Sequence, residues 1–571
     1  MSNEEPAQPL GHPASIIHRV VATAVRQRFL TLLFTVLLVV VGIYSLRRLP
    51  VDAYPDISPP LVEIITQWQG QAAEEVERLI TVPLEIEMNG LPHITIVRSI
   101  SLYGLSDVRM TFENGTDNYF AREQVFERLA DVSLPAGVTP SLAPLSAPSG
   151  LIYRYVLESP DRTPMELKTI EDWIVERQYK SVPGVADDSG LGGPTMQYQV
   201  LLDPTRIAGA GLSVPAVIAA LGANNGNAGG GFYSQGGQFY YVRGLGRLAT
   251  PEDIGNVVLT VHNGIPVLVK DVGQVVIGEA PRLGQFGFGD RDEAVEGVIL
   301  MRTGEQAQVV LDRLERKTRE INRSVLPPDV RVHPFYDRRE LIALTIHTVR
   351  DNLLRGMVLV LIVLIFFLIN LRTGLIVAVT IPLALLFAFI CLDLKHVPAN
   401  LLSIGAIDFG ILVDGAVVMV ENIFRHLSQR RDGETVRDLI VRAASEVDRP
   451  IFYAVAVIIA GFLPIYALVG PAGELFKPMA DTTIFALIGA FLLTLTVVPL
   501  LCTWALQRGV RERRNVAFEA IRSGYARALG SSLSHPWITC LISLLILGAS
   551  LLLVPRIGAE FMPHLDEGAL W

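Results

Sequence analysis

Seven apolar runs, at residues 29–46, 353–369, 374–392, 399–423, 451–469, 482–506 and 538–554, constrain this chain more than any other feature. Each is long enough for a helix to cross about 30 Å of hydrocarbon. No water satisfies the backbone there, so such a run folds as a helix that closes its own hydrogen bonds. Composition agrees: 50% of residues are hydrophobic and 18% are charged, against about a quarter charged in an average soluble domain. The first run is too long for a cleaved leader and no small-residue cleavage site follows it, so it reads as a retained anchor.

With flanking residues, spans are expected at 29–46, 341–370, 373–394, 399–424, 450–469, 482–506 and 537–555. Six arginines follow the fourth span (Arg425, Arg430, Arg431, Arg437, Arg442, Arg449) and six follow the sixth (Arg508, Arg511, Arg513, Arg514, Arg522, Arg527). The short opposite-side loops hold little more than Lys395, Lys477 and Arg556. The positive-inside bias therefore places residues 1–28, 425–449 and 507–536 in the cytoplasm and residues 47–340 outside. The net charge of −9 names no partner, and no basic cluster with interleaved aromatics points to nucleic acid. Cys391, Cys502 and Cys540 fall in or at the ends of spans, without the spacing of a disulfide framework or thiolate metal site. No Gly-Lys dipeptide exists, which excludes a P-loop. No nucleophile, base and orienter set suggests an enzyme.

The external segment reads as α/β. Strand-like alternation at Leu61 to Thr66, Thr95 to Ser101 and Ser106 to Phe112 surrounds a helical stretch that stops at Asn89-Gly90, the order of a split βαβ unit in residues 47–145. A second unit of this kind is expected in 146–195 and 280–340, after a Pro-rich join at Ala143 to Gly150. Its interruption, 196–279, contains ANNGNAGGGFYSQGGQFYYVRG, with turn chemistry beside a β-prone run. That pattern fits a long hairpin projecting to dock on a neighbour, or a solvated loop. GLGRLATPED lacks the third glycine and the context of a dinucleotide fingerprint. Behind the first and last spans, Arg48 and Arg556, Asp52 and Glu560, and Pro55 and Pro563 align at one offset of 508 residues. This reads as an internal repeat of the kind transporters carry, and the chain as the first half, plus one span, of a protein about twice as long.

The fourth run is interrupted by acids: GAIDFGILVDGAVVMVEN carries Asp408, Asp414 and Glu421. Each acid at a helix centre costs on the order of 3 kcal/mol unless it faces protein or water. Glu421 lies near an interface, where a helix-end role suffices, but Asp408 and Asp414 fall within the run. On one continuous helix from Asn400, Asp414 and Glu421 share a face and Asp408 points about 120° away. Gly405, Gly410 and Gly415, with Ala406 and Ala416, are expected to let another helix approach. A carboxylate so placed can load and release a proton, although no lysine occurs within any span to partner it. Met357, Met419 and Met479 fit core packing better than a path for a soft cation, and neither His347 nor His396 has a ligand partner at helical spacing.

The stretches EEVERLITVPLEIEMNGLP, VRSISLYGLSDVRMTFENGTDNYFARE, ANNGNAGGGF and DFGILVDGAVVMVEN resemble the resistance-nodulation-division efflux permeases, most closely their heavy-metal branch. The resemblance implies an α-helical membrane bundle with seven transmembrane helices here, and a periplasmic α/β porter domain of two split βαβ units with a docking hairpin. It implies a proton relay at Asp408, Asp414 and Glu421, and subunit docking through Asn224, Asn225, Gly229, Gly230, Gly231 and Phe232. It further implies proton-driven export of heavy-metal cations from the inner membrane, with no cofactor beyond the coupling proton. The implied partners are a homotrimer's other subunits, a periplasmic adaptor and an outer-membrane channel. Export of organic amphiphiles, or a half that transports nothing without a separate second half, are the alternatives.

Overall fold

The structure is a computed structural model that describes residues 16–49, 51–52, 57–262, 264–282, 284–368, 371–405, 407–430, 434–506 and 516–556. Most of the internal repeat, carried by Pro55, Glu560 and Pro563, lies outside the described residues, as do Arg431, Arg508, Arg511, Arg513 and Arg514. Two compact units form, one of residues Met1–Ala143 and Arg339–Trp571, the other of Pro144–Arg338.

In the first unit, six helical stretches among the described residues are long and apolar enough to cross a membrane: Arg28–Arg48, Leu371–Lys395, Ser403–Ser428 (interrupted at Asp408), Val436–Ala467, Gly470–Ala505 and Pro536–Arg556. The second expected span falls on the long helix Arg338–Leu368, whose apolar portion, Leu354–Val363, is shorter than that. Helices Leu371–Lys395 and Gly470–Ala505 form the centre, with Ala384, Ala388, Ala486 and Val498 fully or almost fully buried. Small residues let helices close up, as they must where lipid offers apolar groups no reason to associate. A Cβ on Gly42 would fall 2.7 Å from Leu386 Cβ, and one on Gly489 2.8 Å from the Phe387 ring. By contrast, helix Pro536–Leu553 buries no residue, which suits a sequence apolar on every side only if lipid or another chain covers it.

Residues 436–449 of the expected link 425–449 and residues 450–462 of the expected fifth span form one helix, Val436–Phe462, which passes through Pro450. Within residues 1–28, expected in the cytoplasm, Ile16–Arg26 forms an amphipathic helix with Val21 and Val25 buried in the helical core. His18 Nδ1 lies 2.6 Å from Ser445 Oγ, pinning this helix to Val436–Phe462.

The same unit carries a four-stranded antiparallel sheet built from Leu61–Gln67, Ile94–Leu102, Leu105–Phe112 and Pro140–Leu142. Alternation along Leu61–Gln67 buries Val62 and Ile64 against Leu84 and Met88 of helix Val82–Met88. The helix Asn118–Leu129 is capped by Asp117, whose side chain accepts from the Phe120 amide at 2.8 Å. Strand order and connections make this a split βαβ unit.

The second unit repeats that plan in the order Arg331–Asp337, Ser146–Glu158, Val295–Arg302, Val185–Leu191. One face is covered by helical residues 164–180 and by helix Ala307–Glu320. Gly297 is a packing requirement: a Cβ there would lie 2.0 Å from the Tyr155 ring, which is fully buried. Gly297→Ala should therefore cost about 3 kcal/mol, the upper part of the overpacking range. Denaturant unfolding of the purified protein checks this; an unchanged midpoint would contradict the close approach.

Between the halves of this second unit, strands Ala228–Gln235 and Gln238–Gly244 form an exposed antiparallel hairpin. Its two-residue turn, Gly236-Gly237, has φ of +63° and +78°, a conformation that side chains resist. Tyr233 stacks on Tyr240 at 5.1 Å between ring centroids, giving an otherwise unsupported ribbon its cross-strand contacts.

Candidate functional site

The acidic run is not one helix. A short helix, Leu401–Gly405, ends before Asp408, which has extended backbone (φ −89°, ψ 110°) and caps a new helix, Phe409–Ser428. Its carboxylate accepts from the Gly410 amide at 2.8 Å. The expectation of a continuous helix from Asn400 with Asp408 turned 120° from Asp414 is thus corrected. An Asp directly before an apolar-periodic run is an N-cap pattern, hidden here because the preceding residues are equally apolar.

Beyond the cap, Leu412, Val413, Ala416, Met419, Val420, Ile423 and Leu427 recur at helical spacing and are buried. Asp414 and Glu421 lie on the opposite, exposed face with Val418, about 10 Å apart along the axis by the 1.5 Å rise. Asp408 is exposed as well. Within this chain the three acids form a row along one helix and its cap rather than a buried cluster. The glycines divide: nothing lies within 4 Å of a Cβ placed on Gly405, and only Asp408 meets one on Gly410. Gly415 is the one against neighbouring helices, with Ile451 Cγ2 at 3.0 Å and Thr494 at 3.7 Å.

Both ends of the bundle carry polar networks that sequence reading missed. At the arginine-rich end, buried Asn422 donates to Ala443 O at 2.7 Å and to Glu446 Oε2 at 3.2 Å. Its carbonyl-side oxygen accepts from Arg425, and His426 reaches Glu446 at 3.1 Å. These contacts fix the acidic helix to Val436–Phe462. At the other end Lys395 donates to both oxygens of Asp481 at 2.7 Å, and Tyr466 donates to Asp481 at 2.5 Å. Lys395 was counted as a loop residue and Asp481 was not singled out; the signal was an aspartate at the edge of an apolar run.

Met419 is fully buried in the helical core and Met357 packs against that core, while Met479 is half-buried. His347 faces Asp351, four residues on, at 3.3 Å, which corrects the expectation that it lacks a partner at helical spacing; His396 is exposed with φ of +56°. Among the described residues no group of three or more His, Cys, Asp or Glu is placed to hold a metal ion.

At the hairpin, Asn224 donates to Ala220 O at 2.8 Å and so closes the preceding helix. Asn225 accepts from Leu248 N at 3.1 Å, bracing the base of the hairpin. Gly230 leaves room for Val242, whose side chain a Cβ would approach to 2.7 Å, whereas Gly229 faces open space. Gly231 has φ of +73°, and exposed Phe232 packs edge-on against Phe239 at 5.3 Å.

The profile of the AcrB/AcrD/AcrF family matches residues 20–571. The chain belongs to this family. It is 37% identical over 97% of its length to the cation efflux system protein CzcA of Alcaligenes sp. (strain CT14), covering 54% of that protein. It is 35% identical over 97% of its length to the cation efflux system protein CusA of Escherichia coli (strain K12), again covering 54%. A crystal structure of a heavy metal efflux pump superposes with a TM-score of 0.82 at 38% identity, over 96% of this chain and 53% of that one. The resemblance to the heavy-metal branch of the resistance-nodulation-division permeases therefore holds. The chain spans about half the length of the curated relatives it matches.

Within this family of transport proteins, the fold common to the chain and the efflux pump joins apolar membrane-length helices to α/β units.

Proposed function

We propose that the chain forms part of the inner-membrane permease of a proton-driven exporter of heavy-metal cations, in which Asp408, Asp414 and Glu421 carry the coupling protons. The observation that supports this most directly is the exposed acidic face of an otherwise apolar helix, Phe409–Ser428. Carboxylates at membrane depth are too costly to face lipid, so that face needs water or further helices against it. The names of the relatives, cation efflux proteins, supply the cargo class.

On this reading the arginine-rich segments lie in the cytoplasm and the two split βαβ units lie in the periplasm as a porter domain. The permease works as a homotrimer with a periplasmic adaptor and an outer-membrane channel. Further helices cover the acidic face and the unpacked helix Pro536–Leu553. The exposed hairpin docks on a neighbouring subunit through its aromatic face. Deleting residues 225–238 should then weaken the trimer about tenfold or more on dilution, as expected for removing an aromatic anchor. Analytical ultracentrifugation across a dilution series checks this; equal persistence of mutant and wild-type trimers removes the docking role.

The test of the function is flux in proteoliposomes of the full-length protein under an imposed pH gradient, with Zn²⁺, Co²⁺, Cu⁺ and a lipophilic dye offered separately. Gradient-dependent metal flux is expected. Dye flux without metal flux would move the protein to export of organic amphiphiles.

A further inference from the structure

The core of the second unit contains two carboxylates joined by one hydroxyl. Tyr155 Oη lies 2.7 Å from Glu171 Oε1 and 2.7 Å from Asp188 Oδ2. Glu171 is fully buried and Asp188 almost so, and the remaining oxygens, Glu171 Oε2 and Asp188 Oδ1, have no hydrogen-bond partner among the described residues. Buried charges without partners are among the costliest groups a fold can hold.

Counting hydrogens exposes a deficit. A phenol has one hydrogen to donate, so it satisfies one ionised carboxylate and no more. The second 2.7 Å contact would then set lone pair against lone pair. A neighbouring hub shows that such counts can balance. The Thr318 hydroxyl donates to Leu314 O at 2.9 Å, leaving its oxygen to accept from Tyr179 at 2.7 Å and Tyr153 at 3.1 Å. At Tyr155 the count closes only if one carboxyl is protonated and donates to the phenol oxygen.

We propose that Glu171, Tyr155 and Asp188 form a buried proton-binding latch, in which one bound proton ties helical residues 164–180 to strand Val185–Leu191 and its loss loosens them. Glu171 opens a π-helical turn, Glu171–Val175, whose wider winding brings the carboxyl toward the sheet. The strand accommodates that approach at Gly190, where a Cβ would lie 2.8 Å from Glu171 Cγ.

The surrounding charges leave the need for a proton in place. On the helical side, Lys168 favours ionised Glu171, but its ammonium already bonds Asp172 at 2.6 Å and Gly190 O at 2.9 Å. On the strand side, Lys180 favours ionised Asp188 but bonds Glu176 and Asp187, each at 2.6 Å, and both of those acids oppose it. Glu296, on strand Val295–Arg302, is paired with Arg154. Tyr179, its own ionisation suppressed chiefly by burial, offers no positive charge. Burial, above all, pushes Asp188 up to about 7, and burial with the nearby Asp188 raises Glu171 well above the usual carboxylate range.

The sign of the pH dependence follows. The folded state holds a proton that the unfolded chain releases near the ordinary carboxylate pKa of about 4. The latch is thus fully stabilising below that value and loses its contribution as pH rises through about 7.

The decisive experiment is hydrogen exchange with mass spectrometry on the full-length protein in detergent micelles. It compares roughly pH 5.5 with pH 8.5, a span that brackets a neutral titration, after correction for intrinsic exchange rates. Peptides covering residues 164–191 should lose protection by about tenfold per pH unit as pH rises from 5.5 toward about 7, the slope of a single proton, and level off above it. Protection in those peptides that is equal at both pH values would overturn the proposal. Asp188→Asn supplies the missing hydrogen from its amide, so its protection should no longer vary with pH. A variant that retained the wild-type step would equally exclude the latch. Glu171→Gln reads the same count from the other side and stands in if Asp188→Asn does not fold.

Discussion

Asp414→Asn is expected to abolish gradient-driven metal export by the full-length protein, by on the order of 10²-fold or more, while leaving subunit assembly intact. A relay group that cannot give up a proton removes the transfer step, whose usual worth is of this size. Asparagine has nearly the shape of aspartate and keeps a polar amide in its place, and within this chain residue 414 packs against nothing that the exchange would disturb, so the fold should be retained. Flux is measured in proteoliposomes and assembly by ultracentrifugation. Wild-type flux in the mutant would remove Asp414 from the relay. Asp408 allows a finer version of the experiment, because its side chain also caps Phe409–Ser428. Asp408→Asn keeps a cap and removes the charge, whereas Asp408→Ala loses both, with about 1 kcal/mol for the cap. Equal transport defects in the two variants would trace the role to charge; a defect in the alanine variant alone would trace it to the cap.

Lys395→Met should destabilise the helical bundle by about 2 kcal/mol, somewhat below the range for breaking a fully buried pair, because Lys395 is itself half-exposed. The substitution leaves Asp481, whose side chain is 7% exposed, with Tyr466 as its one remaining partner among the described residues. The reverse change should cost less. Asp481→Asn frees a lysine that can turn toward water, and about 1 kcal/mol is expected. Thermal unfolding in detergent at matched pH reads both. Asp481→Asn proving the more damaging would contradict the asymmetry and place the energetic weight on the carboxylate's bond to Tyr466. Because the pair joins the C-terminal residue of Leu371–Lys395 to the first third of Gly470–Ala505, the two central helices, its loss should loosen the surface on which the acidic helix rests.

Much of the local structure was legible because it depends on composition and period. Leu61–Gln67, Ile94–Leu102 and Leu105–Phe112 form strands where alternation placed them, and the Gly-rich stretch became a hairpin with its turn at Gly236-Gly237. The Ile16–Arg26 helix was equally written in its residues, with Ile17, Val21 and Val25 at helical spacing, but a short amphipathic segment beside a long apolar run is easily read as that run's polar lead. Glycine counting does not say which glycines meet a neighbour. Close helix approach occurs at Gly42, Gly415 and Gly489, whereas among the described residues nothing lies near a Cβ on Gly405 and only Asp408 meets one on Gly410.

The sequence alone determined that long apolar helices and α/β units share this chain and that three acids interrupt one apolar run, because hydropathy and periodicity are properties of neighbouring residues. Only the tertiary structure decided that Asp408 is a cap, that Lys395 meets Asp481 from 86 residues away, and that Tyr155 stands between Glu171 and Asp188. Those pairings depend on helix packing and strand register, which are set by the shape of surfaces brought together from distant segments and leave no periodic trace in the chain.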